Sequence, residues 1–275
     1  MSMPFRSHLA RSLDFASRSN QAIAAIAVLT AGIAVVMWLG GESADLLLAP
    51  VHTFILWAIV REIDPDHQWT ALLAALVTAA WILLGGPVAS ALPLVGLLVA
   101  GRIITATTGR RPLATDLAVV CVFGIVIGYT VPGWVAGFGL AVALYLDDRH
   151  SPASRGIQVA ASAVTAIGTT VVATAVGAFP ETVPEIAPYV SIAAGLLALA
   201  LVAREPSQPR SRVDARHARP LDQDRLHYSR ATIGMVVFFI SLFTGAEAEG
   251  LLPLIAALFL VVVSNEVVRS GGGER

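Results

Sequence analysis

The chain has 275 residues and a formal net charge of −1, and 56% of its residues are hydrophobic while only 13% are charged. A soluble domain carries about 25% charged residues, so this composition excludes an ordinary soluble globular protein and indicates a polytopic membrane protein. The single cysteine, Cys121, lies in an apolar run, which excludes a disulfide framework and a thiolate metal site.

Ten apolar runs follow a polar N-terminal segment, and each is a candidate transmembrane helix. They cover residues 21–39, 46–60, 68–84, 88–105, 117–131, 134–146, 156–179, 188–203, 231–245 and 251–268. A span needs about 20 residues, with a lower limit near 17, so the fifth and sixth runs are the weakest. Residues 117–146 therefore form either two spans or one re-entrant hairpin, and the chain returns to the same side in both cases.

Arginine positions give the orientation of the bundle, because lysine is absent and all 18 basic residues are arginine. If the N-terminus is cytoplasmic and the runs alternate, every arginine falls on an inner segment. The outer turns then hold only acidic charge, at Glu42, Asp45, Glu181, Glu185, Glu247 and Glu249. The positive-inside rule therefore predicts an all-α bundle of antiparallel hairpins in the inner membrane, with both termini in the cytoplasm.

The same pattern divides the chain into five parts. They are a cytoplasmic N-terminal segment 1–20, a bundle of about eight spans over 21–203, a basic cytoplasmic loop 204–230, a final hairpin 231–268 and a tail 269–275. The loop carries seven arginines against four acidic residues, which favours contact with anionic lipid headgroups at the cytoplasmic face. Its second half, from Asp222, is a candidate surface helix. No nucleic-acid partner is expected, because no interleaved aromatic residues or recognised binding motif accompany the arginines.

Small residues predict close helix packing on the fifth and seventh runs. Gly124 and Gly128 are four residues apart on the fifth run. On the seventh run, small side chains form one stripe of Ser162, Ala166, Thr169, Ala173 and Gly177. Small residues at this spacing let helix backbones approach each other.

His52 is the deepest ionisable residue of the chain, within the second run. Thr53 is its neighbour, and Asp45 is seven residues earlier, which places it on the same face of a helix. Ionisable residues inside a membrane are costly and indicate a proton relay or a substrate contact. A histidine that hydrogen-bonds to a neighbouring helix is the structural alternative. These three residues predict a substrate path, and the favoured function is a small-solute transporter or permease.

A second set of polar residues is predicted at the cytoplasmic face. It comprises Arg61, Glu62, Asp64, Asp66 and His67 in one turn, with Asp116, Asp147 and Asp148 from other inner turns. Carboxylates with an imidazole can hold Mg²⁺, and Mg²⁺ with arginines binds diphosphates. If the turns converge, they predict a membrane-embedded enzyme that acts on a lipid phosphate or diphosphate, with Mg²⁺ as its cofactor.

Helix capping is the structural alternative for the same charges. Asp64 followed by Pro65 is typical of an N-cap and a first-turn proline, and Asp116 can cap the fifth run. If every polar residue has such a role, a non-catalytic membrane scaffold is the third function that the sequence allows.

A topology reporter fused at Glu249 is expected outside the cytoplasm, because the turn that carries it follows the ninth span. Two reporters would measure this: a phosphatase that is active only outside the cytoplasm and a fluorescent protein that folds only in the cytoplasm. A fusion after Arg275 is the control and is expected inside. Cytoplasmic exposure at Glu249 would overturn the orientation.

Overall fold

The computed structural model describes residues 9, 15–107, 112–150, 156–179, 188–204, 209 and 221–271, without the side chains of residues 188, 246, 247 and 265–271. Several predicted features lie outside this part of the chain. They are Glu181 and Glu185, the side chain of Glu247, most of the segments 1–20 and 204–230, and the last residues of the tail.

Ten α-helices form in the described residues, where no strand occurs. They are α1 (Arg18–Leu39), α2 (Ala49–Ile63), α3 (Gln68–Leu83), α4 (Ala91–Thr105), α5 (Ala114–Ile127), α6 (Val131–Arg149), α7 (Ile157–Ala175), α8 (Pro188–Ala203), α9 (Gln223–Thr244) and α10 (Leu252–Gly271). Short 3-10 helices precede α2 and α10, at Ala44–Leu48 and Gly245–Leu251. Each α-helix overlaps one apolar run, and the prediction of an all-helical fold is confirmed for the described residues.

Four helical segments are long and apolar enough to cross a membrane. They are Arg18–Leu39, Ala44–Ile63, Ile157–Ala175 and Gln223–Thr244. Only 17% of the first of these is buried inside the bundle, against 67% of the second. α1 therefore lies at the periphery with apolar side chains facing outward, whereas α2 lies at the centre, with eleven of its fifteen residues buried.

Residues 117–146 form two separate helices, α5 and α6. Near the start of α6, Trp134 contacts Phe243 at the end of α9. Near the end of α6, Asp147 accepts a hydrogen bond from Arg225 at the start of α9. α6 therefore follows α9 along nearly the whole length of α9, and whether residues 117–146 cross a membrane twice stays a prediction of the sequence.

Close packing joins α5, α6 and α7 as the small residues predict. Thr169 Oγ1 donates a hydrogen bond to the Gly124 carbonyl oxygen over 2.9 Å. A Cβ on Gly137 would lie only 2.7 Å from that same carbonyl oxygen, so the three helix backbones meet at this point. On the same stripe of α7, Ser162 Oγ donates a hydrogen bond to the Ala141 carbonyl oxygen of α6 over 2.7 Å.

The basic segment becomes helical at its end and enters the bundle. Asp222 caps α9, since its Oδ1 accepts hydrogen bonds from the backbone N–H groups of Asp224 and Arg225 over 2.9 and 3.3 Å. α9 then continues unbroken to Thr244. The predicted surface helix is therefore wrong: those residues are the first turns of α9, and Arg225 and Arg230 are buried.

The substitution Gly137→Ala is expected to lower the free energy of unfolding by about 1–3 kcal/mol, because the added methyl group meets backbone that cannot move aside. Thermal unfolding in detergent measures this change. Gly32→Ala is the matched control, since nothing lies within 4 Å of a Cβ at that position of α1. It is expected to be neutral or to stabilise by up to about 1 kcal/mol through helix propensity. Equal effects of the two substitutions would contradict the close contact.

Candidate functional site

Charge is divided between the two ends of the bundle. The odd-numbered helices start, and the even-numbered helices end, at the same end of the bundle. We call this the arginine end, and we call the opposite end the acidic end. Every arginine whose side chain is described lies at the arginine end: Arg18, Arg61, Arg102, Arg149, Arg204, Arg225 and Arg230. The described acidic residues Glu42, Asp45 and Glu249 lie at the acidic end.

Glu62, at the end of α2, is buried and fully hydrogen-bonded. Its Oε1 accepts a hydrogen bond from Arg102 Nε of α4 over 3.1 Å. Its Oε2 accepts one from Thr107 Oγ1 over 2.7 Å. The carboxylate therefore joins α2 to the end of α4.

Asp64, which directly follows α2, joins three further partners. Its Oδ1 accepts a hydrogen bond from His67 Nδ1 over 2.8 Å and lies 3.7 Å from Arg230 Nη2 of α9. Its Oδ2 accepts a hydrogen bond from Ser264 Oγ of α10 over 2.9 Å. Arg230 Nε also donates to the Ile63 carbonyl over 2.7 Å. The predicted N-cap role of Asp64 is therefore wrong: α3 begins only at Gln68, and the carboxylate points into the bundle.

Asp147, near the end of α6, has a third set of partners. Its Oδ1 accepts a hydrogen bond from Arg225 Nη1 over 2.8 Å, and its Oδ2 accepts one from Gln158 Nε2 of α7 over 2.5 Å. Arg225 Nη1 donates also to the Ile104 carbonyl of α4 over 3.1 Å. One aspartate thereby links α6, α7 and α9, and its arginine reaches α4.

We call these three pairs the ion-pair layer: Glu62–Arg102, Asp64–Arg230 and Asp147–Arg225. Each carboxylate side chain is at most 4% exposed. A charge withdrawn from water to this degree is tolerated when it is paired and hydrogen-bonded. The layer joins the ends of α2, α4 and α6 to the start of α9 and occupies the arginine end of the bundle.

The remaining members of the predicted cytoplasmic set are placed apart from one another. Asp116 accepts a hydrogen bond from the backbone N–H of Leu113 over 3.0 Å, which is the predicted cap of α5. Arg61 hydrogen-bonds to Asn20 of α1 and stacks over the Trp57 ring at 5.0 Å.

Two aspartates of the set have different surroundings. Asp66 lies half-buried in the turn between α2 and α3. Asp148 is 6% exposed, and its Oδ1 has no hydrogen-bond partner. In the described part of the chain, no three His, Cys, Asp or Glu residues are close enough to hold a metal ion.

The sequence did not indicate Arg225, Arg230, Gln158 or Ser264 as site residues. A signal was present for the two arginines, because no glycine or proline interrupts residues 222–233 after the capping Asp222. Gln158 and Ser264 carry no such signal. Only the packing of α7 and α10 against α6 and α2 brings them to the carboxylates.

His52 lies near the acidic end of α2 and is 2% exposed. Its Nδ1 is 2.9 Å from the Leu48 carbonyl oxygen, one turn earlier in the chain. Its Nε2 is 2.7 Å from the Ala89 carbonyl oxygen in the segment that leads into α4. Both partners can only accept a hydrogen bond. A neutral imidazole donates from one nitrogen, so only the doubly protonated imidazolium satisfies both contacts.

The other two residues of the predicted substrate path differ in burial. Thr53 is fully buried, and its hydroxyl has no hydrogen-bond partner. Asp45 is exposed and is hydrogen-bonded to Ser43. It does not share the buried face of His52, because a 3-10 helix separates the two residues and changes the helical register. A cavity of about 10 Å³ lies beside His52, which is room for about one water molecule.

The substitution Asp147→Asn is expected to lower the free energy of unfolding by about 3–5 kcal/mol, because it leaves the Arg225 charge buried without its counter-ion. The double variant Asp147→Leu with Arg225→Met is expected to recover most of this loss, since apolar residues can replace a buried pair. Unfolding monitored in detergent measures both. The control Asp45→Asn, at an exposed position, is expected to change stability by less than about 0.5 kcal/mol. A small effect of Asp147→Asn would show that the pair is not desolvated.

Comparison with known proteins gives no relative for this chain. No family model matches it, and no curated protein or solved structure matches it significantly. The function proposed below therefore depends on the geometry of the described residues.

Proposed function

We propose that the chain is a multi-pass protein of the inner membrane that transports a small solute across the bilayer. In this proposal the arginine end and both termini face the cytoplasm. The four long apolar segments and the restriction of described arginines to one end support the placement, because cytoplasmic segments of membrane proteins carry an excess of arginine.

The observation that carries the proposal is the pair of hydrogen bonds made by His52. The protonated imidazole holds α2 to the segment before α4, whereas the neutral ring must give up one of the two contacts. Gain or loss of a proton at His52 therefore changes how two helices are joined near the acidic end. A buried histidine whose two ring nitrogens join α2 to the segment before α4 suits a transporter that couples solute movement to protons.

The ion-pair layer supplies the second requirement of a transporter, a closed barrier at one end. Three carboxylates and three arginines occupy the arginine end, and in this proposal they close that end of the bundle to the solute. Opening that end requires the separation of pairs between α9 and the ends of α2 and α6. Water or a polar solute can replace such partners, which makes a charged layer easier to open to water than an apolar plug.

The enzyme and the scaffold stay predictions of the sequence. A lipid-phosphate enzyme calls for carboxylates free to hold Mg²⁺, and Glu62, Asp64 and Asp147 each have a basic partner. We also propose that the basic loop 204–230 contacts anionic lipid headgroups at the cytoplasmic face.

Transport is tested with purified protein in lipid vesicles that contain a pH-sensitive dye. The probes are a panel of amino acids, sugars, organic acids and inorganic cations. In vesicles that contain the natural protein, we expect the addition of at least one of these solutes to cause proton movement across the membrane. His52→Ala is expected to lower that rate by about tenfold or more, because a hydrogen bond to a charged group contributes about 1.5–3 kcal/mol.

Thr70→Ala is the matched control, since Thr70 is fully buried and its hydroxyl has no partner, but it lies at the arginine end. Its rate is expected to stay within about twofold of the natural protein, as no hydrogen bond is lost. Equal rates for His52→Ala and the natural protein would refute the role of His52. Failure of every solute in the panel to move protons would count against transport itself.

A further inference from the structure

We infer that the groove between α8 and α10 is a binding site for one anionic phospholipid, with an acyl chain in the groove and the phosphate beside Arg204. The inference rests on the proposed membrane placement, but it does not depend on transport. The occupant is a lipid of the leaflet at the arginine end.

The groove has the form that an acyl chain requires. It has a volume of about 700 Å³ and lies between two helices that both run from the acidic end to the arginine end. One face of α8 supplies Ala193, Leu196, Leu197, Ala200 and Arg204. From Ala193 to Arg204 this face extends about 16 Å at 1.5 Å per residue, which is about half the thickness of a hydrocarbon core.

The walls of the groove are apolar and open to the surroundings. Leu196 on α8 is 65% exposed and Phe259 on α10 is 60% exposed. Large apolar side chains with such exposure, in a concave surface, indicate an apolar occupant. In a membrane protein that occupant is a lipid chain.

Arg204 gives the site its preference for a negative headgroup. Among the side chains that the structure describes, it is the one charged residue that lines the groove; it is exposed and directly follows the last turn of α8. A basic residue at the cytoplasmic end of a cleft between transmembrane helices is the arrangement that binds anionic headgroups.

A second groove provides the comparison within the same molecule. It lies between α6 and α9, has a volume of about 440 Å³ and is lined mainly by Trp134, Phe138, Val142, Met235, Phe239 and Phe243. Its lining, within the described part of the chain, contains no ionisable residue. Lipid chains that enter it are expected to do so without a preference for headgroup charge.

The test uses the full-length protein in vesicles of equal phosphatidylglycerol and phosphatidylcholine. After gentle extraction, native mass spectrometry counts the lipids of each kind that remain bound. We expect the natural protein to retain phosphatidylglycerol about fivefold over phosphatidylcholine, the ratio that corresponds to about 1 kcal/mol per basic residue. Arg204→Gln is expected to remove this preference, and Ala200→Trp, which fills the groove, is expected to lower the amount of lipid retained.

Two controls match these variants. Arg149→Gln removes an exposed arginine at the same end, which contacts Tyr145 on its own helix, and Val142→Trp fills the groove between α6 and α9. Both are expected to keep the preference for phosphatidylglycerol. Equal retention of the two lipids by the natural protein, or an unchanged preference in Arg204→Gln, would overturn the site. A natural protein that does not insert into the vesicles would instead overturn the membrane placement.

Discussion

Three buried carboxylates at one end of the bundle, each paired with an arginine from another helix, constrain the rest of the structure. A carboxylate in such surroundings is unstable without a counter-ion, so the ends of α2, α4 and α6 and the start of α9 have to meet in one register. α9 is central to this arrangement, because its Arg225 and Arg230 reach carboxylates on two different sides. α9, which follows the long basic segment, thus joins α6 and α7 on one side to α2 and α10 on the other.

The opposite end is held by weaker and more changeable contacts. Aromatic packing around Trp134 joins α6 to α9 and to Phe179, while His52 joins α2 to the segment before α4. Neither contact involves a buried ion pair. One end is therefore fixed by charge, and the other by aromatic packing and the two hydrogen bonds of His52, which is the asymmetry from which transport is proposed.

The surface of the bundle follows from the same division between apolar and charged residues. α1 and α7 leave much of their apolar surface outside the core, and the α8–α10 groove continues that surface inward. At the arginine end the surface turns basic at Arg204. Lipid chains match the first property and anionic headgroups match the second, so the proposed membrane placement and the proposed choice of lipid depend on the same physical contrast.

The sequence by itself determined the ten helices and the separation of charge between the two ends, because helix formation and burial in a bilayer depend on local runs of apolar residues. It also singled out His52, Glu62, Asp64 and Asp147 as unusual. Only the tertiary structure decided their partners. Arg225, Arg230, Gln158 and Ser264 are between 11 and 200 positions from the carboxylates that they bind, and no local pattern encodes such a pairing. The register of the packed helices determines these pairings, because an ion pair forms only where the packing brings the two side chains together.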